Sequence, residues 1–194
     1  MNRKFLIMVG VAAAVGLVAG RMYIIEPPAQ FAAAIDYDRS VKTEYGVPIK
    51  VAKAIDGDTI ELINGDRVRY NGIDTPEEFD KRKPVQCYAK EAAERNKELV
   101  EGKSVTIYKD VSDRDKYNRW VGFIYSADGT LVNKTLVAEG YAFAYPYKPD
   151  ISKAPEFKKA ETLAHAQGLG LWSHCSVRIL TTGRKQTNAV DPQP

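Results

Sequence analysis

Cysteine and histidine are scarce in this chain, with two of each among 194 residues. The cysteines, Cys87 and Cys175, stand far apart with no CxxC pair, so a zinc site built with His165 or His174 is a weak reading. An excess of one charge is missing as well: 28 Lys and Arg face 25 Asp and Glu, a formal +3. Without a global basic field, any polyanion would have to be held by local clusters. Internal repeats and notable low-complexity segments are absent. What remains, 44% hydrophobic and 27% charged residues, suits one soluble domain of ordinary size with appendages.

The apolar residues are unevenly spread. Arg3 and Lys4 precede FLIMVGVAAAVGLVAG, an uncharged run of 16 residues from Phe5 to Gly20. That is short of the roughly 20 residues a membrane span needs, and it has the basic and apolar regions of a signal peptide. Val18-Ala19-Gly20 supplies small residues for cleavage after Gly20, while Met22-Tyr23-Ile24-Ile25 could extend the run into an uncleaved anchor over residues 5–25. Either alternative takes the domain out of the cytoplasm, to the envelope or beyond. Loss of residues 1–20 would remove Arg3 and Lys4 and bring +3 to +1. In an exported chain Cys87 and Cys175 are expected to pair, and closing the loop between them would stabilise the fold by about 4–5 kcal/mol on chain-entropy grounds.

Pro27-Pro28 breaks any helix emerging from the leader, and residues 26–46 read as a linker. From Val47 onward PIKVAKAI and TIELI alternate apolar with polar residues, and Asn64-Gly65 signals a hairpin before DRVRYNGI. Helical spacing follows over Ala89–Val100, with Gly102 where a C-terminal cap belongs. SVTIYKD and RWVGFIYS read as strands; Asn133 is placed to cap a short helix ended by Gly140; PEFKKAETLAHAQ is a third helix with proline in its first turn. Five strands and three helices predict an α+β domain around a β-barrel over residues 47–175. Residues 176–194 read as a mobile polar tail.

The segment AIDGDTIELINGDRVRYNGIDTPE concentrates opposed charges. Asp56 and Asp58 flank Gly57 at a turn, and Asp74 follows the third strand, so folding of the hairpin brings the acids together. Oxygens of Asp58, Asp74 and a backbone carbonyl suit a hard cation such as calcium. An EF-hand is excluded, because Ile60 and Glu61 stand where that loop needs an acidic residue and glycine. Taken singly, DGDT is also what a solvated turn looks like, and Arg69 what a surface ion pair looks like. Taken together, a cation site, an arginine to neutralise phosphate and Glu77 to deprotonate water describe phosphodiester hydrolysis.

In order along residues 47–173, VAKAIDGDTIEL, RVRYNGIDTPE, DRDKYNRWVGFIY, LVNKTLVAEGYA, YPYKP and GLGLW resemble the thermonuclease, or staphylococcal nuclease-like, family. The resemblance implies an OB-fold barrel of five strands with three helices. It implies calcium ligands at Asp58, Asp74 and the carbonyl of Thr75, phosphate-binding arginines at Arg69 and Arg119, and a general base at Glu77. Lys116 and Tyr117 match positions that contact a terminal phosphate. Tyr145 and Tyr147 match the aromatic pair of the nucleotide pocket, where stacking is worth about 1–3 kcal/mol per base; alternating tyrosines are also ordinary sheet surface. Pro149 matches a position that can follow a cis peptide. Asn118 stands where glycine is common, and asparagine tolerates a left-handed turn. Lys81, Arg82 and Lys83 form a solvated loop or a phosphate-gathering lip. The expected protein is a monomeric, calcium-dependent endonuclease acting on DNA and RNA and leaving 3′-phosphate ends; the alternative is an inactive OB-fold module that holds nucleic acid at a membrane.

Overall fold

A computed structural model describes residues 14–18, 21–25, 35–78 and 84–190. The chain divides into two units, Met1–Ile35 and Asp36–Pro194. In the first, β1 (Ala14–Val18) and β2 (Arg21–Ile25) pair antiparallel, with Ala14 opposite Ile25. Most of the expected leader, the cleavage point after Gly20 and residues 26–34 of the linker lie outside the described residues. So does the basic loop of Lys81, Arg82 and Lys83. Among the described residues no helix is long and apolar enough to cross a membrane.

The second unit runs β3 (Pro48–Ala54), β4 (Thr59–Leu62), β5 (Arg67–Tyr70), β6 (Ile73–Asp74), α1 (Ala89–Val100), β7 (Ser104–Tyr108) and β8 (Trp120–Ser126). It continues through α2 (Val132–Ala138), β9 (Phe143–Ala144), α3 (Ala154–Ala166), α4 (Leu171–His174), β10 (Val177–Ile179) and β11 (Lys185–Thr187). Five strands close a barrel in the order β3-β4-β5-β8-β7. All neighbours are antiparallel except β5 and β8, which run parallel with Arg69 beside Val121. The strands alternate because one face fills the barrel: Val51, Ile60, Leu62, Val68, Ile107 and Ile124 are fully buried. An α+β fold of the OB type, with three main helices against a five-stranded barrel, is therefore the architecture.

Local signals explain much of it. Gly65 takes φ 90° in the Asn64-Gly65 hairpin, a conformation that favours glycine. Pro155 sits in the first turn of α3. The Lys148-Pro149 peptide is cis, and Asn118 adopts φ 63°, the left-handed turn expected of it.

Three expectations are corrected. Asn133 does not cap α2, which begins after Leu131. It lies buried inside the helix, accepting from the Ile124 N–H at 2.8 Å and donating to the Asn71 carbonyl at 2.9 Å. It thus joins α2 to the barrel wall, where a buried amide finds partners that an exposed cap would take from its own turn. The linker expected through residue 46 ends sooner: Asp38 N–H donates to Ile63 O, Thr43 Oγ1 to Asp66 and Gly46 N–H to Ile107 O. The tail expected from residue 176 is a β-hairpin, with Val177 opposite Thr187 and Ile179 opposite Lys185. Its cohesion is long-range, which is why apolar periodicity does not mark it: Cys87 and Cys175 form a disulfide, and Cys87 N–H donates to Asn188 O at 2.8 Å. With both sulfurs joined, a zinc site on these cysteines is ruled out.

Candidate active site

The β3–β4 turn carries Asp56, Gly57 and Asp58, and its shape is set from both sides. Asp58 N–H donates to Asp56 Oδ1 at 2.9 Å, an Asx-type turn. A Cβ on Gly57 would stand 2.7–2.8 Å from the Thr75 side chain, so only glycine lets the turn lie against the strand that follows β5. From α1, wholly buried Asn96 donates to the Asp56 carbonyl at 2.7 Å and accepts from the Tyr70 hydroxyl at 2.8 Å.

This packing brings the acids together. Asp58 Oδ2 accepts from Thr75 N–H at 2.9 Å, from Thr75 Oγ1 at 3.0 Å, and from Arg69 at 2.8 Å. The same guanidinium reaches Asp74 Oδ1 at 3.2 Å. Arg69 is thus no surface ion pair; its side chain is 19% exposed and spans two buried carboxylates. Burial alone would favour the neutral guanidine, but the charges of Asp58 and Asp74 outweigh it and hold Arg69 protonated. Burial, with the Asp58 charge beside it, pushes the Asp56 carboxyl up to about 7 against the pull of Arg69. Glu77 follows at the rim, 42% exposed, with its N–H donating to Gln86 Oε1 at 3.2 Å. Asp58, Arg69, Asp74, Thr75 and Glu77 therefore form one cluster.

Among the described residues the other expected side chains make no hydrogen bond or ion pair to it. Arg119, at the entrance to β8, is held by Asp115, whose Oδ2 accepts from Nε at 2.7 Å and whose Oδ1 accepts from the Arg119 N–H at 3.0 Å. The Arg119 guanidinium lies 5.5 Å, and Lys116 Nζ 5.0 Å, from the centre of the Tyr117 ring, which is 68% exposed. Tyr145 follows β9, tied by its N–H to Gly72 O at 2.8 Å, and lines a hollow with Pro146, Thr182 and Gly183. Tyr147 is 68% exposed.

Sequence reasoning missed three residues. Asp115 carried a local signal, four positions before Arg119. Asn96 could be placed on the buried face of α1 but not matched to the turn it supports. Arg184 had no local signal: it arrives on the C-terminal hairpin and donates to Asp74 Oδ2 at 2.6 Å, Asp74 Oδ1 at 2.9 Å and Glu77 Oε1 at 3.2 Å.

A closed β-barrel of the OB type, with an acid–arginine cluster where β4, β5 and β6 meet, defines the class of protein. Comparison with known sequences carries this to a family. The model described as "Staphylococcal nuclease homologue" matches residues 67–174, and the chain belongs to the staphylococcal nuclease family. It is 42% identical over 132 residues to the SPbeta prophage-derived endonuclease YokF of Bacillus subtilis (strain 168), covering 66% of this chain and 44% of that protein. To endonuclease YncB of the same organism it is again 42% identical over 132 residues, with 66% and 62% covered. To the thermonuclease of Staphylococcus hyicus it is 31% identical over 129 residues, with 64% and 75% covered. The chain thus spans less than two thirds of the length of the two Bacillus subtilis proteins.

Proposed function

We propose that the protein is an endonuclease that hydrolyses phosphodiester bonds of DNA and RNA with little sequence preference, leaving 3′-phosphate ends. The observation that carries this reading is the convergence of Asp58, Arg69, Asp74 and Thr75 in one buried cluster, with Glu77 at its open edge. Its relatives are named endonucleases and a thermonuclease, which supports the same reaction class.

The donors are hard oxygens: the carboxylates of Asp58 and Asp74 and the Thr75 carbonyl, of a kind that fits calcium completed by water. Among the described residues no three His, Cys, Asp or Glu side chains form a metal-binding group by themselves. Asp58 and Asp74 both reach the one Arg69 guanidinium, and two carboxylates so paired, with the Thr75 carbonyl, would suit such a cation. When bound, calcium would supply a positive charge against the developing charge on phosphate oxygens.

The remaining work belongs to side chains. Glu77, half exposed, takes a proton from the attacking water. Arg69 donates to phosphate oxygens from inside the cluster, and Arg119, with one edge fixed by Asp115, does so from the β8 side. Water forms a bond to phosphorus, the bond to the 5′-oxygen breaks, and the leaving oxygen collects a proton. Tyr117, Tyr145 and Tyr147 offer faces on which bases stack, a mode of binding that favours unpaired strands. The presence of Arg69, Glu77 and Arg119 weighs against a module that binds without cutting.

Export of a monomer, through a cleaved leader or an anchor over residues 5–25, completes the proposal. Arg3, Lys4 and the run from Phe5 to Gly20 support it, as does the disulfide, which suits an oxidising compartment. The test is digestion of single-stranded DNA by purified protein with calcium, with magnesium and with chelator. Calcium-dependent cutting that Glu77→Ala reduces by at least about 10²-fold is the expected result. Binding without cutting in every metal would establish the inactive module instead.

A further inference from the structure

The C-terminal hairpin lies beyond the residues matched to the family, 67–174, yet it is built into the site. Its base is fixed by the Cys87–Cys175 disulfide and by Thr187 Oγ1, which donates to Cys87 O at 2.9 Å. Its returning strand is fixed by Lys185, whose Nζ donates to both carboxylate oxygens of Glu161 on α3 at 2.8 and 3.0 Å. Glu161 is buried and also accepts from Ala144 N–H, so this anchor reaches into β9. Arg184 therefore projects from the turn that leads directly into a fastened strand, not from a loose end. Its guanidinium grips both oxygens of Asp74 and one of Glu77.

Two consequences follow from that grip. The first is geometric. One planar fork spans a proposed cation ligand and the proposed base, which no other side chain among the described residues does. The second is electrostatic. The carboxylates of the cluster, Asp58, Asp74 and Glu77, bring three negative charges, and Arg69 and Arg184 two positive ones. With Arg184 the cluster carries −1; without it the cluster stands at −2 and attracts cations more strongly.

We infer that Arg184 is a positioning residue that ties Glu77 to Asp74 and, as a tethered positive charge, lowers the affinity of the site for its divalent cation. The inference rests on the proposed cation site. It divides the work of one side chain into two separable parts: charge, which lysine reproduces, and the bridging fork, which it does not.

The test is calcium titration by calorimetry, and single-stranded DNA turnover, of the full chain and of Arg184→Gln and Arg184→Lys. Circular dichroism establishes that each variant is folded. Arg184→Gln should bind calcium about tenfold or more tightly, the scale expected on removing a unit positive charge that touches a proposed cation ligand, even in a water-like dielectric. Its kcat should fall while KM stays near that of wild type. Arg184→Lys should return calcium affinity toward wild type without restoring kcat. A local loss of structure would weaken calcium binding, so tightening separates the two explanations. Wild-type calcium binding with equal or weaker binding in Arg184→Gln overturns this inference alone; a wild-type protein that binds no divalent cation and cuts nothing overturns the cation site and the role of Arg184 with it.

Discussion

At the residue scale the turn that carries Asp56 and Asp58 depends on side chains outside the proposed catalytic set. Asn96 is the clearest. Its amide satisfies one buried hydroxyl and one carbonyl, and truncation strands both. Asn96→Ala should cost about 1–3 kcal/mol for each buried group left unpaired, measured by denaturant unfolding, and should lower calcium affinity because the turn loses its support. Arg69 teaches a related lesson: as a strand arginine it could have been a solvated ion pair, and only the fold shows it enclosed by Asp58 and Asp74. The motif residues were legible because their chemistry sits within a few positions of DGDT and DTPE. Asn96 and Arg184 were not, since their partners lie 26–40 and 107–110 residues away in sequence.

At the scale of elements, what was legible follows from period and punctuation. The strand pairs around Asn64-Gly65, helix α1 before Gly102 and helix α3 after Pro155 all have their causes inside their own sequence. The two-residue β6–β9 pairing and the terminal hairpin do not. Neither holds enough residues to show an alternation, and both are specified by contacts brought from elsewhere. For the hairpin, the disulfide is the principal such contact. It closes a separation of 88 residues, for which loop-closure entropy predicts a stabilisation of about 4–5 kcal/mol. Reduction and alkylation should therefore lower the melting temperature of the purified protein by several degrees, read by calorimetry on matched samples. An unchanged melt would show that Lys185–Glu161 and the backbone bonds to Val85 and Cys87 hold the hairpin unaided.

Across the whole molecule, acidic side chains set the response to pH. Asp150 accepts from the backbone N–H groups of Val111 and Ser112 at 2.9 and 2.8 Å, tying the strand exit after β7 to the loop before α3. Burial would raise its pKa, but these hydrogen bonds prevail and hold it below the usual carboxylate range. A carboxyl with its folded pKa depressed contributes stability that is complete above the unfolded value, near 3.9, and is lost as pH falls through the folded one. Chemical unfolding measured between pH 5 and pH 2 should show this acid limb, and Asp150→Asn should flatten it.

The long reach of Arg184 has a consequence in time as well as in space. Contacts among Asp58, Arg69, Asp74 and Thr75 close loops of 5–17 residues, whereas Arg184 closes loops of 107–110 to Glu77 and Asp74. In a chain whose disulfide has not yet formed, longer loops cost more entropy to close and non-local pairings form slowly, so the acid cluster should assemble before its last guanidinium arrives. On that path the nascent site passes through its most negative form, so a reduced, refolding chain should grip the proposed divalent cation hardest just before it is finished.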